Sequence, residues 1–267
     1  MDTTNLSDQE FRQFQGMIHA AAGIHMSDTK KALVCGRLGK RVSHHGLASY
    51  GEYFRYLSRE REEFQIAVDL LTTNETFFFR EPRHFELLRE RIVPELAQPN
   101  REFRIWSGAC SSGEEVYSLA MTLAETLGER RWSVLGSDIS TRVLQKARSG
   151  HYDLRDAEDI PKPYLGKYCL KGVGSQDGTF LIDKRLRDRV GFRQINLNTD
   201  LPGLGEFDVI FLRNVMIYFN AETKRQVLAR MLPLLRPGGY FIVSHSESLN
   251  GVTDGLVAVK PSVYRKP

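Results

Sequence analysis

No apolar run in this chain of 267 residues approaches the ~18 residues that a membrane-spanning helix requires. Cysteine is scarce: Cys35, Cys110 and Cys169 lie far apart, with no C-x-x-C pair and no neighbouring histidines. That excludes a disulfide scaffold and argues against structural zinc, so no metal is expected. The first residues, Met1 to Asn5, carry neither the basic nor the apolar stretch of a secretory signal. A cytoplasmic protein with no direct membrane insertion is the expectation. Net charge is only +4, too small by itself to imply nucleic acid. The dinucleotide fingerprint G-x-G-x-x-G is absent as well, which weakens a nicotinamide-dependent reading. Internal repeats and low-complexity segments are also missing.

What is present divides by pattern. Residues 1 to about 72 read as helical throughout. Ser7-Asp8-Gln9-Glu10 resembles a helix cap, followed by Phe11, Phe14, Met17 and Ile18 at helical spacing. Further helices are predicted from about Lys30 to His45, Ser49 to Leu57 and Arg59 to Leu71, with turns at Gly23 and Gly46. Between Asp28 and Glu52 no acidic residue occurs, whereas Lys30, Lys31, Arg37, Lys40, Arg41, His44 and His45 do. Lys30, Arg37, Arg41 and His44 fall on one helical stripe beside Val34, Leu38 and Val42. Such a stripe is either a solvated face or a surface for an acidic partner.

After Asn100 strands and helices alternate, which predicts a parallel sheet. Strands are expected at 103–107, 132–137, 191–195, 207–212 and 239–244. Helices are expected at 113–127, 140–149 and 221–235. A terminal hairpin around Pro261 would add an antiparallel edge. The glycine-rich stretch from Tyr164 to Arg189 interrupts this rhythm and reads as a small β insert.

The first strand runs from Phe103 and Ile105 into Ser107-Gly108-Ala109-Cys110-Ser111-Ser112-Gly113, then into a helix opening with Glu114 and Glu115. Small residues there let backbone approach a ligand beyond the strand's carboxyl end. Two carboxylates would repel a pyrophosphate, so an adenosine ligand with a cationic or zwitterionic half fits better. S-adenosylmethionine is such a ligand. Asp138 ends the second strand, where an acid accepts hydrogen bonds from both ribose hydroxyls; its other reading is a helix cap, shared with Ser140. Asn196 and Leu197 end the third strand, either facing an adenine or forming a turn. The fourth strand continues into Arg213-Asn214-Val215-Met216-Ile217-Tyr218-Phe219, where a D/N/S-P-P-Y/F motif for base methylation would stand and does not. No Pro-Cys pair for cytosine chemistry is present either, so a nucleic-acid acceptor is disfavoured. Tyr218 reads as either a core aromatic or a wall of the reaction site. Asn74, Thr76, Phe77, Phe78, Phe79 and Arg80 form an aromatic linker that either pins two domains together or brings Arg80 to a pocket at their junction.

These strings resemble the bacterial chemotaxis receptor methyltransferases, the CheR family. The match runs along nearly the whole chain: N-x-T-x-F-F-R, W-S-x-x-x-S-x-G-E-E, S-D-I, R-N-V-M-I-Y-F, P-L-L-x-P-G-G, H-S-E-S and P-S-V-Y-R-K. The implied fold is a Rossmann-like class I SAM-dependent methyltransferase sheet with a small β insert, preceded by an all-α N-terminal domain. The implied domains are 1–72 helical with a basic receptor-facing helix, 73–90 a linker contributing to the active site, and 91–267 catalytic, with a β subdomain at about 164–190. The implied activity is transfer of a methyl group from S-adenosylmethionine to glutamate side chains of chemoreceptors, with S-adenosylhomocysteine as product. By matching positions, Asn74, Thr76, Arg80, Glu115, Asp138, Asn196, Leu197, Arg213 and Asn214 would bind the cofactor. Arg80 and Tyr218 would be catalytic. The β subdomain would dock a receptor C-terminal peptide, as in some members of the family, and the enzyme would act as a monomer. Two departures are visible: Val116 replaces a proline common after Gly-Glu-Glu, and Gly108-Ala109 arranges the small residues differently. Two rival readings are a methyltransferase of a small carboxylic acid and a non-catalytic cofactor-binding signalling module.

Overall fold

The computed structural model describes residues 5–267, so most of the N-terminal stretch read above for a secretory signal lies outside the described residues. Two compact units emerge: residues up to Thr73 together with Tyr218–Lys224, and Asn74–Ile217 together with Arg225–Pro267. Among the described residues no helix is long and apolar enough to cross a membrane.

In the first unit, α1 (Asp8–Ala22) begins with a capping box between Ser7 and Glu10 and ends at Gly23, φ 72°. Helices α2 (Lys31–His44), α3 (Tyr50–Leu57) and α4 (Arg61–Leu71) follow. Their buried faces repeat at helical spacing: Phe11, Phe14 and Ile18; Val34, Leu38 and Val42; Tyr50, Tyr53 and Leu57; Ala67, Val68 and Leu71. Tyr218–Lys224 joins this unit through backbone: the His25 N–H donates to the Tyr218 carbonyl at 2.7 Å, and Ile24 bridges Phe219.

The basic stripe of α2 is not uniformly free. The Arg41 guanidinium donates to both oxygens of Glu63, the Nε bond measuring 2.8 Å, and Tyr53 donates to the same carboxylate at 2.7 Å. Burial pushes the Glu63 pKa up, but the bonds from Arg41, Tyr53 and His45 outweigh it and bring it down to about 2. Arg37 donates to the carbonyls of Leu71 and Thr72, closing the end of α4. Two members of the expected stripe, Arg37 and Arg41, therefore hold the unit together; the other two, Lys30 and His44, are exposed, as is Lys40 beside them.

The second unit opens with a helical run of three parts: α5 (Arg83–Leu87), a π-helical turn over Leu88–Ile92, and α6 (Val93–Leu96). This run crosses residue 90, where the linker was expected to end. Then come β1 (Phe103–Ser107), α7 (Glu114–Leu127), β2 (Trp132–Asp138), α8 (Thr141–Ser149) and β3 (His151–Asp153). Next are α9 (Lys162–Tyr168), β4 (Cys169–Lys171), β5 (Thr179–Ile182), α10 (Lys184–Arg187) and β6 (Val190–Gln194). The chain finishes with β7 (Phe207–Phe211), α11 (Ala221–Met231), β8 (Leu235–Ile242), β9 (Val257–Lys260) and β10 (Val263–Arg265).

The main sheet has the order β6-β2-β1-β7-β8-β10-β9. Its first five strands are parallel, and the terminal hairpin adds the antiparallel edge. This is the expected methyltransferase fold class. The strand order reverses at β1, so the carboxyl ends of β1, β2 and β7 lie together.

Two expectations about elements are corrected. The β insert is a sheet of order β3-β5-β4; it recruits β3 from residue 151, before the expected bounds, and helix α9 occupies the expected start at Tyr164. Strands of three or four residues are too short to show alternation in sequence. Strand β8 begins at Leu235 and so runs through Pro237 and Gly238, which were expected to precede it, while α11 stops at Met231. Proline is tolerated there because the β7–β8 register shifts between Phe207 and Val209. Gly239 is needed because a Cβ would lie 2.8 Å from the Asp208 carbonyl.

Candidate functional site

The loop after β1 is held open by its neighbours' backbone. Gly108 N–H donates to the Phe211 carbonyl at 2.8 Å and Cys110 N–H to the Ser137 carbonyl at 2.8 Å. Trp106 Nε1 donates to Ser137 Oγ at 2.9 Å. Ser111 takes a left-handed conformation, φ 49°, which aims its N–H at Asp138 Oδ2, 2.9 Å away. Gly113, at φ 96°, begins α7; a Cβ there would lie 2.9 Å from that of Ala147. Glycine is therefore required twice over, by conformation and by space.

The two carboxylates opening α7 part company. Glu114 is buried and accepts from Ser112 Oγ at 2.8 Å. Burial pushes its pKa up, against the Ser112 bond and the nearby Lys146 ammonium. Glu115, the acid expected to bind the cofactor, reaches the strand ends. Ser107 Oγ donates to Glu115 Oε1 at 2.7 Å, and Arg213 Nη1 donates to Oε2 at 2.9 Å.

Arg213 follows β7, and its side chain is only 2% exposed. The same guanidinium donates to the Arg80 carbonyl, lies 3.4 Å from Glu81 Oε2, and sits 5.9 Å from the centre of the Phe85 ring. One cation thus ties Glu115 to the Arg80–Glu81 turn. The turn itself is strained, with Phe79 at φ 53° and Glu81 at φ 60°.

Asp138, 7% exposed, ends β2. Its second oxygen accepts the Ser140 N–H at 3.0 Å, so two backbone donors orient the carboxylate. The helix cap belongs to Ser140, whose Oγ accepts from Val143 N–H. Beyond β6, Asn196 Oδ1 accepts the Asn198 N–H at 2.9 Å, the turn geometry weighed above. Leu197 beside it is buried.

Asn74 enters by its backbone: its carbonyl accepts from Ser111 Oγ at 2.8 Å. Thr76 and Arg80 are half-exposed. Arg80 donates to the Glu75 carbonyl at 2.9 Å and lies 5.5 Å from the Phe77 ring centre. Of the three linker aromatics, Phe77 is exposed. Phe78 packs on Tyr152 and Phe180 of the insert, and Phe79 packs on Phe85 and Tyr164. Both are pinned within the sheet-bearing unit.

Asn214 also takes a left-handed conformation, φ 58°. Its N–H donates to Glu247 Oε2 at 3.0 Å, which also receives the Ser244 N–H at 2.9 Å. The Ile217 N–H reaches the other oxygen at 3.3 Å. Glu247 and Glu81 escaped the sequence reading. Glu247 had a signal in the H-S-E-S string, whereas Glu81 had none beyond standing next to Arg80. Tyr218 is half-buried and belongs to the helical unit by its contacts; the other predicted residues all lie in the sheet-bearing unit.

Comparison with known proteins matches the CheR methyltransferase all-alpha domain to residues 9–72. The CheR methyltransferase SAM binding domain matches residues 74–264. Chemotaxis protein methyltransferase 2 of Pseudomonas aeruginosa is 42% identical over 259 residues, covering 96% of this chain and 92% of that protein. The chemotaxis protein methyltransferase of Escherichia coli is 41% identical over 266 residues, covering 97% and 91%. That of Vibrio parahaemolyticus is 38% identical over 275 residues, covering 100% and 99%. With both domains matched in order along almost its full length, the chain belongs to the CheR methyltransferase family.

Proposed function

We propose that this protein methylates glutamate side chains on the cytoplasmic part of chemoreceptors, using S-adenosylmethionine and forming glutamyl methyl esters. The observation that carries this reading is the pair of oriented carboxylates, Glu115 and Asp138, beyond β1 and β2 in a chain of this family. Their chemistry suits the ligand: Asp138 accepts from ribose hydroxyls, and Glu115 favours a cationic amino group. When bound, S-adenosylmethionine supplies a methyl on a positively charged sulfur, which passes to a carboxylate oxygen and leaves S-adenosylhomocysteine.

The chain's own residues have little proton chemistry to perform. A glutamate acceptor is already ionised at neutral pH, so no strong general base is needed. Alignment is the main task, and orientation can contribute ~7–11 kcal/mol. Arg213 is a positioning residue that acts through Glu115. Arg80 holds a carboxylate, either that of the methionine half or that of the acceptor, and Tyr218 orients the acceptor. Asn74, Thr76, Asn196, Leu197 and Asn214 complete the cofactor surface. Lys30, Lys40 and His44 attract the acidic receptor region, and the β3-β5-β4 sheet is the docking element for a receptor peptide. The working form is a monomer in the cytoplasm.

The test is transfer of labelled methyl to receptor-containing membranes, followed by mild base. Release of the label as methanol supports a glutamyl ester. Cofactor binding without transfer to receptor overturns the reading. Arg80→Ala should abolish transfer, and normal turnover in that variant would remove its assigned role.

A further inference from the structure

Glu81, His84 and His245 bring three ligand atoms within 4.8 Å of one another. Glu81 comes from the strained turn after Arg80, His84 from the start of α5, and His245 from the loop after β8. Glu81 Oε2 lies 3.5 Å from His84 Nδ1 and 3.6 Å from His245 Nδ1. A tetrahedral zinc with ligands at ~2.0–2.1 Å separates neighbouring ligand atoms by ~3.4 Å. The two spacings from Glu81, 3.5 and 3.6 Å, are close to that edge length.

Hydrogen bonding explains why the arrangement calls for a cation. Ser262 Oγ donates its single proton to the Pro261 carbonyl at 2.6 Å. With that proton on the carbonyl, the 2.8 Å contact with His84 Nε2 is satisfied by the tautomer protonated at Nε2. In the neutral ring that leaves a lone pair on Nδ1. His84 is 2% exposed, and its Nδ1 has no hydrogen-bond partner. The buried lone pair thus faces a carboxylate, two acceptors with nothing between them. Charge points the same way. Glu81 and Glu115 share one guanidinium, that of Arg213, so the cluster holds more carboxylate than cation. His245, with its side chain 51% exposed, offers a route in from solvent.

We propose that Glu81 Oε2, His84 Nδ1 and His245 Nδ1 form a binding site for zinc or a similar divalent cation, with water as fourth ligand. Imidazole and carboxylate donors suit zinc. The His84 Nε2–Ser262 bond is the outer contact that fixes ring orientation. Bound there, the ion ties the Arg80–Glu81 turn to the loop after β8. The site needs no cysteine, and His245 stands more than 160 positions from Glu81 and His84, so spacing alone does not reveal it.

The test uses the full chain stripped by a chelator. Zinc is titrated against a chromophoric chelator, and cobalt is then substituted to read the coordination geometry from its visible spectrum. One equivalent of tightly held zinc and a tetrahedral cobalt spectrum are expected. His245→Ala, at an exposed position, should keep the metal-free melting temperature and weaken zinc by at least ~100-fold. Ser262→Ala should weaken it by ~10–100-fold. Absence of stoichiometric zinc, or unchanged affinity in His245→Ala, overturns the proposal. So does nitrogen NMR showing His84 Nδ1 protonated at neutral pH, because a proton would then already bridge to Glu81. None of these readouts depends on methyl transfer.

Discussion

Arg213 and Glu115, 98 residues apart in sequence, meet through a 2.9 Å bond between guanidinium and carboxylate. The arginine is almost wholly buried, so its influence on a ligand passes through the acid it holds. Arg213→Ala strands both Glu115 and Glu81 and should cost ~3–5 kcal/mol of stability. Arg213→Lys should keep the fold but lose the forked geometry. Its KM for S-adenosylmethionine should rise at least ~10-fold with a smaller change in kcat, as steady-state kinetics would show.

Asp138 stands at the carboxyl end of β2, and the Ser111 and Ser140 N–H groups orient its carboxylate. Two charge-assisted hydrogen bonds of ~1.5 kcal/mol each correspond to roughly 100-fold in affinity. Asp138→Ala should raise the calorimetric Kd for S-adenosylmethionine by about that factor. An unchanged Kd would remove the ribose-binding role.

Gly136 lies in β2 where a Cβ would meet Val116 Cγ2 at 2.7 Å and the Phe192 ring at 2.8 Å. Gly113 adds a positive φ to a similar crowding. Either glycine changed to alanine should lose ~1–3 kcal/mol, seen as a fall of several degrees in Tm. Gly36→Ala provides a comparison: it lies in α2 without a positive φ and with nothing within 4 Å, so it should lose nothing.

Glu63 makes the helical unit acid-sensitive. Its folded pKa is about 2, below the ordinary value of 4.5. A depressed carboxylate contributes stability that is fully present above the unfolded value and is lost as pH falls through the folded one. Denaturant midpoints should therefore drop between about pH 4.5 and pH 2, and Glu63→Gln should flatten that slope. A parallel slope in the variant would assign the acid sensitivity elsewhere.

The two kinds of cation on α2 should behave differently. Lys30→Glu with Lys40→Glu should leave Tm nearly unchanged and slow receptor methylation at low salt. The deficit should shrink as ionic strength approaches the physiological range, where the Debye length is ~8 Å. Arg41→Ala should instead lower Tm, because it leaves buried Glu63 without its cation.

Much of this was legible locally. Helices α1 to α4 could be read because their apolar residues recur at 3.6-residue spacing and Ser7, Ser49 and the glycines punctuate them. The five parallel strands could be read because each is a short apolar run with turn signals around it. Asp138 and the Gly113 loop were visible because they sit where such a sheet binds ligands. The helical run from Arg83 to Leu96 was hidden by the preceding aromatics, and β3 by its three-residue length.

The order of elements, the buried faces and the family motifs were determined by sequence alone, since each rests on a spacing within a few residues. Tertiary structure alone decided which charges are committed: Arg41 to Glu63, Arg213 to Glu115 and Glu81, and Glu114 to Ser112. It also decided that Glu81, His84 and His245 share one corner. Such partnerships depend on chain crossings tens to hundreds of residues long. Burial then sets their strength, because a charge removed from water must find its counter-charge wherever the fold has brought one.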